Sequence, residues 1–360
     1  MHRLTRDQAR RIAVRAQLLD AERPGDVVEV AEQIGSVKID PTAVIAPCEH
    51  TVLWARIGFG YEPGHLQKAV EDDRALFEFD GRFRPASLLP ALLPRLRRRE
   101  FRPQTQEWLD ANARFRRDLL ARLRADGPLA ASDLEDTSQV AGNDEAGWYG
   151  SNQVPRMLEL LSHRAEVAIV GRRGRNRVWD IAERAYAGVA ELGYDEAGAV
   201  LERRRLQAAG IAKRKSPWTP VGEAGEPAEV EGSAWKWRVD PDALATLDDD
   251  PGGRVALLNP YDGMLFDRPR LKELFEFDYV LEQFKPKAQR RYGYFAHPIL
   301  LGDRFVGLVD AALDKKKEKL VVEAVHELTP FDDDEREMVD AELRDLAEWL
   351  GVELSAAEAS

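Results

Sequence analysis

Arginine is the residue type whose placement suggests chemistry. It clusters at Arg95-Leu96-Arg97-Arg98-Arg99, at Arg172-Arg173-Gly174-Arg175-Asn176-Arg177, at Arg203-Arg204-Arg205 and at Arg290-Arg291, with Lys213-Arg214-Lys215 between the last two. A guanidinium fork matches a phosphate, and a local basic patch binds phosphates whatever the total charge. The bland alternative for any one cluster is a solvated helix face paired with Glu and Asp. The net charge of -12 argues against nucleic acid, but it is unevenly spread. The thirty residues from Phe331 hold eleven Asp and Glu against only Arg336 and Arg344.

Other chemistries lack their residues. There is no glycine-rich phosphate loop, so no nucleotide cofactor is expected. The six His residues form no His-Glu-x-x-His pattern, and Cys48-Glu49-His50 has the wrong spacing to chelate a metal without strain. The single cysteine excludes an internal disulfide and any cysteine-rich zinc or iron–sulfur site, and it suits a reducing compartment. No apolar run is long enough to span a membrane, and the basic, amphipathic start has no signal-peptide pattern. A cytoplasmic protein with no cofactor, no metal and no membrane partner is expected.

The elements that must position the arginines follow from pattern. Thr5-x-x-Gln8 is a capping box for a helix over 7–20, and Val27–Ile34 is a short helix before Gly35. Val37–Ile39 is a strand ended by Pro41. Phe115–Arg124 is a helix, Ser132 caps a short second one, and Ser151 or Asn152 caps a third through Met157, Leu158 and Leu161. Strands at 165–170 and 177–179 flank the turn Gly171–Asn176. Helix, helix, helix, hairpin is the winged-helix order, in which the third helix enters the major groove and the hairpin is the wing. Arg172, Arg173, Arg175 and Arg177 would crowd the wing tip, where self-repulsion favours a phosphate or minor-groove partner over packing alone; a salt-bridged hairpin is the alternative. Tyr194–Ala209 is a helix, 216–231 is a Pro- and Gly-rich loop, and 235–239 is a strand with exposed basic positions between aromatics. Runs at 255–258, 292–299, 304–311 and 319–327 predict a small antiparallel sheet or barrel. An acidic helix over 332–350 closes the chain. Gly147-Trp148-Tyr149-Gly150 and Tyr292-Gly293-Tyr294 could stack a base or simply pack.

Leu258-Asn259-Pro260-Tyr261-Asp262-Gly263-Met264-Leu265-Phe266-Asp267-Arg268 resembles a signature of the YcaQ/AlkZ family of bacterial winged-helix DNA glycosylases. Leu274–Tyr279, Arg290–Tyr294, Val306–Asp310 and the wing, 171–183 with Val178-Trp179-Asp180, follow with the family's spacing. The resemblance covers nearly the whole chain. It implies an α+β fold of tandem winged-helix modules in a C shape, with a small C-terminal antiparallel β-barrel-like domain. The expected division is 1–105 and 106–190 as two modules, 191–250 as an abbreviated third, and 251–360 as the β-domain with its acidic helix. The implied activity is hydrolysis of the N-glycosidic bond of N7- or N3-alkylated purines in double-stranded DNA, including those in interstrand crosslinks. A monomer is expected.

The family's catalytic Gln-x-Gln or Gln-x-Asp motif falls on Lys38-Ile39-Asp40. Asp40 fits the chemistry: a carboxylate can stabilise an oxocarbenium-like cation and accept a proton from the attacking water. Its alternative is a turn cap before Pro41. Lys38 departs from the family's Gln. It could pair with Asp40 across one strand face, contact a phosphate, or act as a Schiff-base nucleophile. Ala46-Pro47-Cys48-Glu49 and Gly81–Ala86 replace stretches in which relatives carry a His and a His-Glu pair, and His50 is expected to pack under Trp54. The candidate catalytic residues are therefore Asp40 and Lys38, and the candidate DNA-binding residues Arg97, Arg98, Arg172, Arg173, Arg175, Arg177, Arg290 and Arg291. A DNA-binding member without catalysis is the alternative, and RNA or a protein partner a further one.

Overall fold

The Thr5 capping box forms as predicted: its hydroxyl accepts from the Gln8 amide, and the Gln8 side chain returns to the Thr5 amide. Such a cap stabilises a helix start by about 1 kcal/mol. The helix spans Arg6–Ala16 and stops short of Asp20 because Leu18 turns to φ +54°. The structure is a computed structural model, and it describes residues 1–142, 152–247, 249 and 252–356. The predicted Gly147–Gly150 aromatic run and the Ser151 cap lie outside the described residues. The chain divides into two compact units: 1–66 with 202–360, and 67–201.

In the first unit, a four-stranded sheet runs in the order His2–Leu4, Glu226–Val230, Trp237–Val239, Ile211–Lys213. Two sequence expectations fail here. The 216–231 stretch is not all loop: Glu226–Val230 is a strand, paired parallel to His2–Leu4. Of the basic positions expected to be exposed, Lys236 is, but Arg238 is buried, and its guanidinium is spent on the carbonyls of Glu223, Ala224 and Gly225. Ile12, Leu19, Trp237, Leu258, Leu265 and Leu271 share one core.

The C-terminal strands form a curled half-barrel sheet, ordered Val255–Leu257, His297–Leu301, Arg304–Asp314, Lys319–Glu327, Glu353–Ala356. Bulges at Ile299/Leu300 and Asp310/Ala311 supply local bend and twist. The sheet is not wholly antiparallel, since Glu353–Ala356 pairs parallel to Lys319–Glu327. Tyr292–Phe295 is not part of the strand predicted over 292–299, which begins at His297. Gly293 takes φ +118°, and a Cβ there would lie 1.9 Å from the Asp310 carboxylate, so only glycine fits this corner. The acidic helix Asp333–Trp349 is capped by Asp332, with Glu335 completing the box, and it buries Val339, Leu343 and Leu346.

In the second unit, the strands run Arg82–Pro85, Leu76–Phe79, Val167–Arg173, Asn176–Ile181, Leu129–Ala130. The helices Ala113–Asp126 and Val154–Ser162 pack with them through Phe115, Leu119, Leu123, Met157, Leu158, Leu161 and Trp179. The short second helix expected at Ser132 is a single 3-10 turn, Ala131–Asp133. Asn152 is not the cap of the following helix, which is Gln153 without a side-chain cap bond, but one residue earlier it accepts from the Val154 amide. The hairpin forms, but its turn is tighter than the expected 171–176: the strands continue through Arg173 and from Asn176, which pair across an exposed Gly174-Arg175 turn, and Gly174 supplies φ +60°.

Candidate active site

Val37 is buried and anchors a strand that ends at Lys38, one residue earlier than expected. Asp40 therefore sits beyond the strand. Its Oδ1 accepts from the Thr42 amide at 2.9 Å, the turn-capping use of Asp before Pro41. Its Oδ2 lies 4.0 Å from Lys38 Nζ, while that ammonium donates to the Ile39 carbonyl at 2.7 Å. The ion pair is thus at the edge of contact. Lys38 and Asp40 are half-buried, with side chains 29% and 19% exposed, so the carboxylate is reachable but not bathed in solvent.

A second segment of the same unit meets this turn. The Tyr261 phenol is raised above its ordinary pKa by burial and then by the charge of Asp40. Its hydroxyl accepts from Gln283 Nε2 at 2.7 Å. Its ring meets Phe295 edge-on, with centroids 5.5 Å apart. Gln283 is held by its neighbour Glu282, whose carboxylate accepts from the Arg291 amide at 2.7 Å, the Tyr292 amide at 2.8 Å and Lys285 Nζ at 2.8 Å. Burial alone would raise Glu282, but the bonds from Lys285, Tyr292 and Arg291 outweigh it and hold the carboxyl low. Cys48 is pushed far up by burial and then by Asp262, Glu49 and Asp40, which makes it a poor nucleophile.

The signature residues are the scaffold under Tyr261. Arg56 is fully buried and grips Asp262 with two bonds of 2.7 and 3.0 Å, with further bonds to the Gln17 and Val52 carbonyls. Asn259 donates to the Thr51 hydroxyl at 2.8 Å and accepts from the Tyr261 amide at 2.9 Å. Asp267 caps the next helix through the Arg270 amide and takes the hydroxyls of Ser216 and Thr219. These bonds tie the helix Cys48–Ile57 to the turn that carries Tyr261. Sequence reading passed over Arg56 and Gln283. The signal for Arg56 was a lone cation inside the apolar run Val52–Ile57; Gln283 left none.

The wing arginines, in the other unit, are less bare than their crowding suggested. Glu78, only 3% exposed, takes Arg172 at 2.8 Å and Arg177 at 2.6 Å. Arg177 also reaches Glu159, and Arg173 reaches Asp133 at 2.9 Å. The expected self-repulsion is therefore offset by carboxylates, and the salt-bridged hairpin accounts for three of the four. Among the described residues Arg175, at the exposed tip, has no ion-pair partner. Arg97 pairs with Glu191 at 3.0 Å, and Arg98 stacks over Tyr194 at 4.8 Å. Arg290 and Arg291 stack over Tyr294 and Tyr292, at 4.9 and 4.8 Å. His50 Nδ1 shares a 2.6 Å hydrogen bond with the Tyr61 hydroxyl, and burial lowers its pKa. Among the described residues no group of three or more His, Cys, Asp and Glu could hold a metal ion, and no helix is long and apolar enough to cross a membrane.

The fold is that of a solved structure, the DNA glycosylase AlkZ of Streptomyces sahachiroi. The match has a TM-score of 0.66 at 16% sequence identity and covers 99% of this chain and 100% of that one. The family described as AlkZ-like DNA glycosylase matches residues 31–349, a span that includes Asp40, the wing and the Tyr261 signature. The chain belongs to the AlkZ-like family of DNA glycosylases.

Proposed function

We propose that the protein hydrolyses the N-glycosidic bond of cationic N7- or N3-alkylated purines in double-stranded DNA, including those that form interstrand crosslinks, with Asp40 as general base and electrostatic stabiliser. The observation that carries this is the state of Asp40. One oxygen is fixed by a backbone amide, the other faces a cation only at 4.0 Å, and the group is half-buried beside Tyr261. An alkylated purine already bears positive charge, so it leaves without a strong acid. One base that accepts the water's proton and faces the sugar cation suffices. Lys38 would orient Asp40 or bind the adjacent phosphate. The helix–hairpin segment 106–190 would act as a winged-helix module, its wing against the phosphate backbone. The decisive measurement is release of 7-methylguanine from a duplex, or unhooking of a nitrogen-mustard crosslink, by wild type and Asp40→Asn. Loss of roughly 10²–10⁴-fold in the variant is expected for a missing general base. Wild type inert on every alkylated duplex would sink the enzymatic reading. It would favour a DNA-binding member without catalysis, a reading that the turn-cap role of Asp40 and the presence of Lys38 support.

A further inference from the structure

Phe284 is the most exposed large apolar side chain among the described residues, at 87%. One exposed apolar side chain is ordinary by itself. The way this one is held is not. Gln283, on one side, donates to the Tyr261 hydroxyl at 2.7 Å. Lys285, on the other, is bonded at three places. Its amide donates to the Glu282 carbonyl at 2.9 Å, its ammonium to the Glu282 carboxylate at 2.8 Å, and its carbonyl accepts from Arg290 Nε at 2.9 Å. Pro286 and a single 3-10 turn, Lys287–Gln289, follow. The buried Glu282 carboxylate then closes the loop by accepting from the Arg291 and Tyr292 amides. Phe284 cannot fold back toward the core without breaking these bonds, so the loop presents it to solvent.

The setting is basic. From Gln283 to Tyr294 the chain carries Lys285, Lys287, Arg290 and Arg291 and no Asp or Glu, in a protein of net charge -12. Glu282 takes Lys285, but among the described residues Lys287, Arg290 and Arg291 make no ion pair. Arg290 and Arg291 lie instead over the rings of Tyr294 and Tyr292, which fixes them without neutralising them. A partner that fits this loop is apolar where Phe284 enters and anionic around it. Duplex DNA has both parts, the space between stacked base pairs and the phosphates beside it. We propose that Phe284 is a wedge: it enters between two base pairs of the bound duplex while Lys287, Arg290 and Arg291 engage phosphates around the opened step. The inference rests on duplex DNA being the substrate, as read above, and not on the chemistry at Asp40. Insertion partly unstacks the step and bends the duplex. A nucleotide at that step then needs less energy to leave the stack, which brings its glycosidic bond within reach of an enzyme. Because the side chain is held out before binding, little conformational freedom is lost on insertion.

The test titrates wild type, Phe284→Ala, Phe284→Leu and the double variant Arg290→Ala/Arg291→Ala into a duplex carrying the excision-resistant 2′-fluoro form of 7-methylguanine. The fluorescent base 2-aminopurine, which brightens when unstacked, is placed in turn at each position across the site. Wild type should brighten one step. Phe284→Ala should abolish that signal and weaken binding about tenfold, the scale of one lost aromatic stack. Its salt dependence and thermal midpoint should match wild type, because the side chain removed is uncharged and exposed. Phe284→Leu, which keeps an apolar wedge, should restore part of the signal. The double arginine variant should instead lower the slope of log affinity against log salt by about two. If wild type binds and no position brightens, or if Phe284→Ala brightens the probe as wild type does, the inference is overturned; the Asp40→Asn comparison judges the hydrolytic reading separately. If Phe284→Ala binds the duplex as wild type does but abolishes a dimer that wild type forms on sedimentation, the loop receives a second copy of the chain and the inference is likewise overturned. A wild type that binds no duplex overturns both readings.

Discussion

Asp40 and Glu78 are carboxylates beside cations, one in each compact unit, and they are held in opposite ways. Glu78 is almost fully buried and saturated: Arg172 and Arg177 both reach it with bonds under 3.1 Å. Asp40 is half-buried, has one amide on one oxygen, and keeps its cation at 4.0 Å. A carboxylate whose lone pairs are filled by guanidinium forks is committed to structure. One with an oxygen to spare can still take a proton or face a developing cation. Asp262 belongs with Glu78, since Arg56 fills it and neither side chain meets solvent.

That division predicts unequal stability effects. Asp262→Ala should have the largest, because it strands Arg56 in the core; breaking a buried pair in this way costs about 3–5 kcal/mol. Urea unfolding measures it, and a loss under about 1 kcal/mol would remove Asp262 from the structural class. Glu78→Gln should cost less, since Arg172 and Arg177 are 31% and 29% exposed and water replaces part of the lost contact. The same variant should bind duplex DNA more tightly, with a steeper salt dependence, because two cations are freed. Unchanged binding would mean that neither arginine can reach a phosphate.

Glu342 sharpens the comparison as an intermediate case. It lies between Arg23, at 3.8 Å, and Arg254, but its Oε1 has no hydrogen-bond partner. Burial raises its pKa to about 7 and outweighs both arginines. The sign follows directly. Between the ordinary value of 4.5 and about 7 the folded state holds a proton that the unfolded state releases. Stability should therefore fall as pH rises through that window and level off above it. Glu342→Gln should flatten this slope. Urea midpoints at pH 5 and pH 8 decide it, and an equal slope in both proteins would show Glu342 to be ionised throughout.

What could be read along the chain was what is local. The capping box at Thr5/Gln8, the helix Tyr194–Ala209 and the acidic helix after Asp332 are each written in a few adjacent residues. Glu226–Val230 could not be read this way. Its Pro and its Gly-rich flanks look like loop, and it is a strand because His2–Leu4, from the far end of the chain, lies beside it. The site divides similarly. Asp40 was visible through its motif position, whereas Gln283 acquires meaning only when folding brings it to Tyr261. The wing arginines were visible too, but their count misled, because Glu78 and Glu159 lie elsewhere in sequence and neutralise what looked like repulsion.

The cations obey the same rule as the carboxylates, and this gives the smallest and most discriminating prediction. Arg172, Arg173 and Arg177 are engaged by Glu78, Asp133 and Glu159, so each must give up a carboxylate before it can gain a phosphate. Arg175 gives up nothing, since it stands at the exposed tip without an ion-pair partner among the described residues. It should therefore make the wing's cheapest phosphate contact. One phosphate contact contributes about 0.9 to the slope of log affinity against log salt. Arg175→Ala should reduce that slope by about one and leave folding stability unchanged, while Arg173→Ala should change the slope by less. If Arg172→Ala or Arg177→Ala moved the slope more than Arg175→Ala did, the wing would have to rearrange its carboxylates on meeting DNA. Saturation in the free protein would then not separate structural arginines from binding ones.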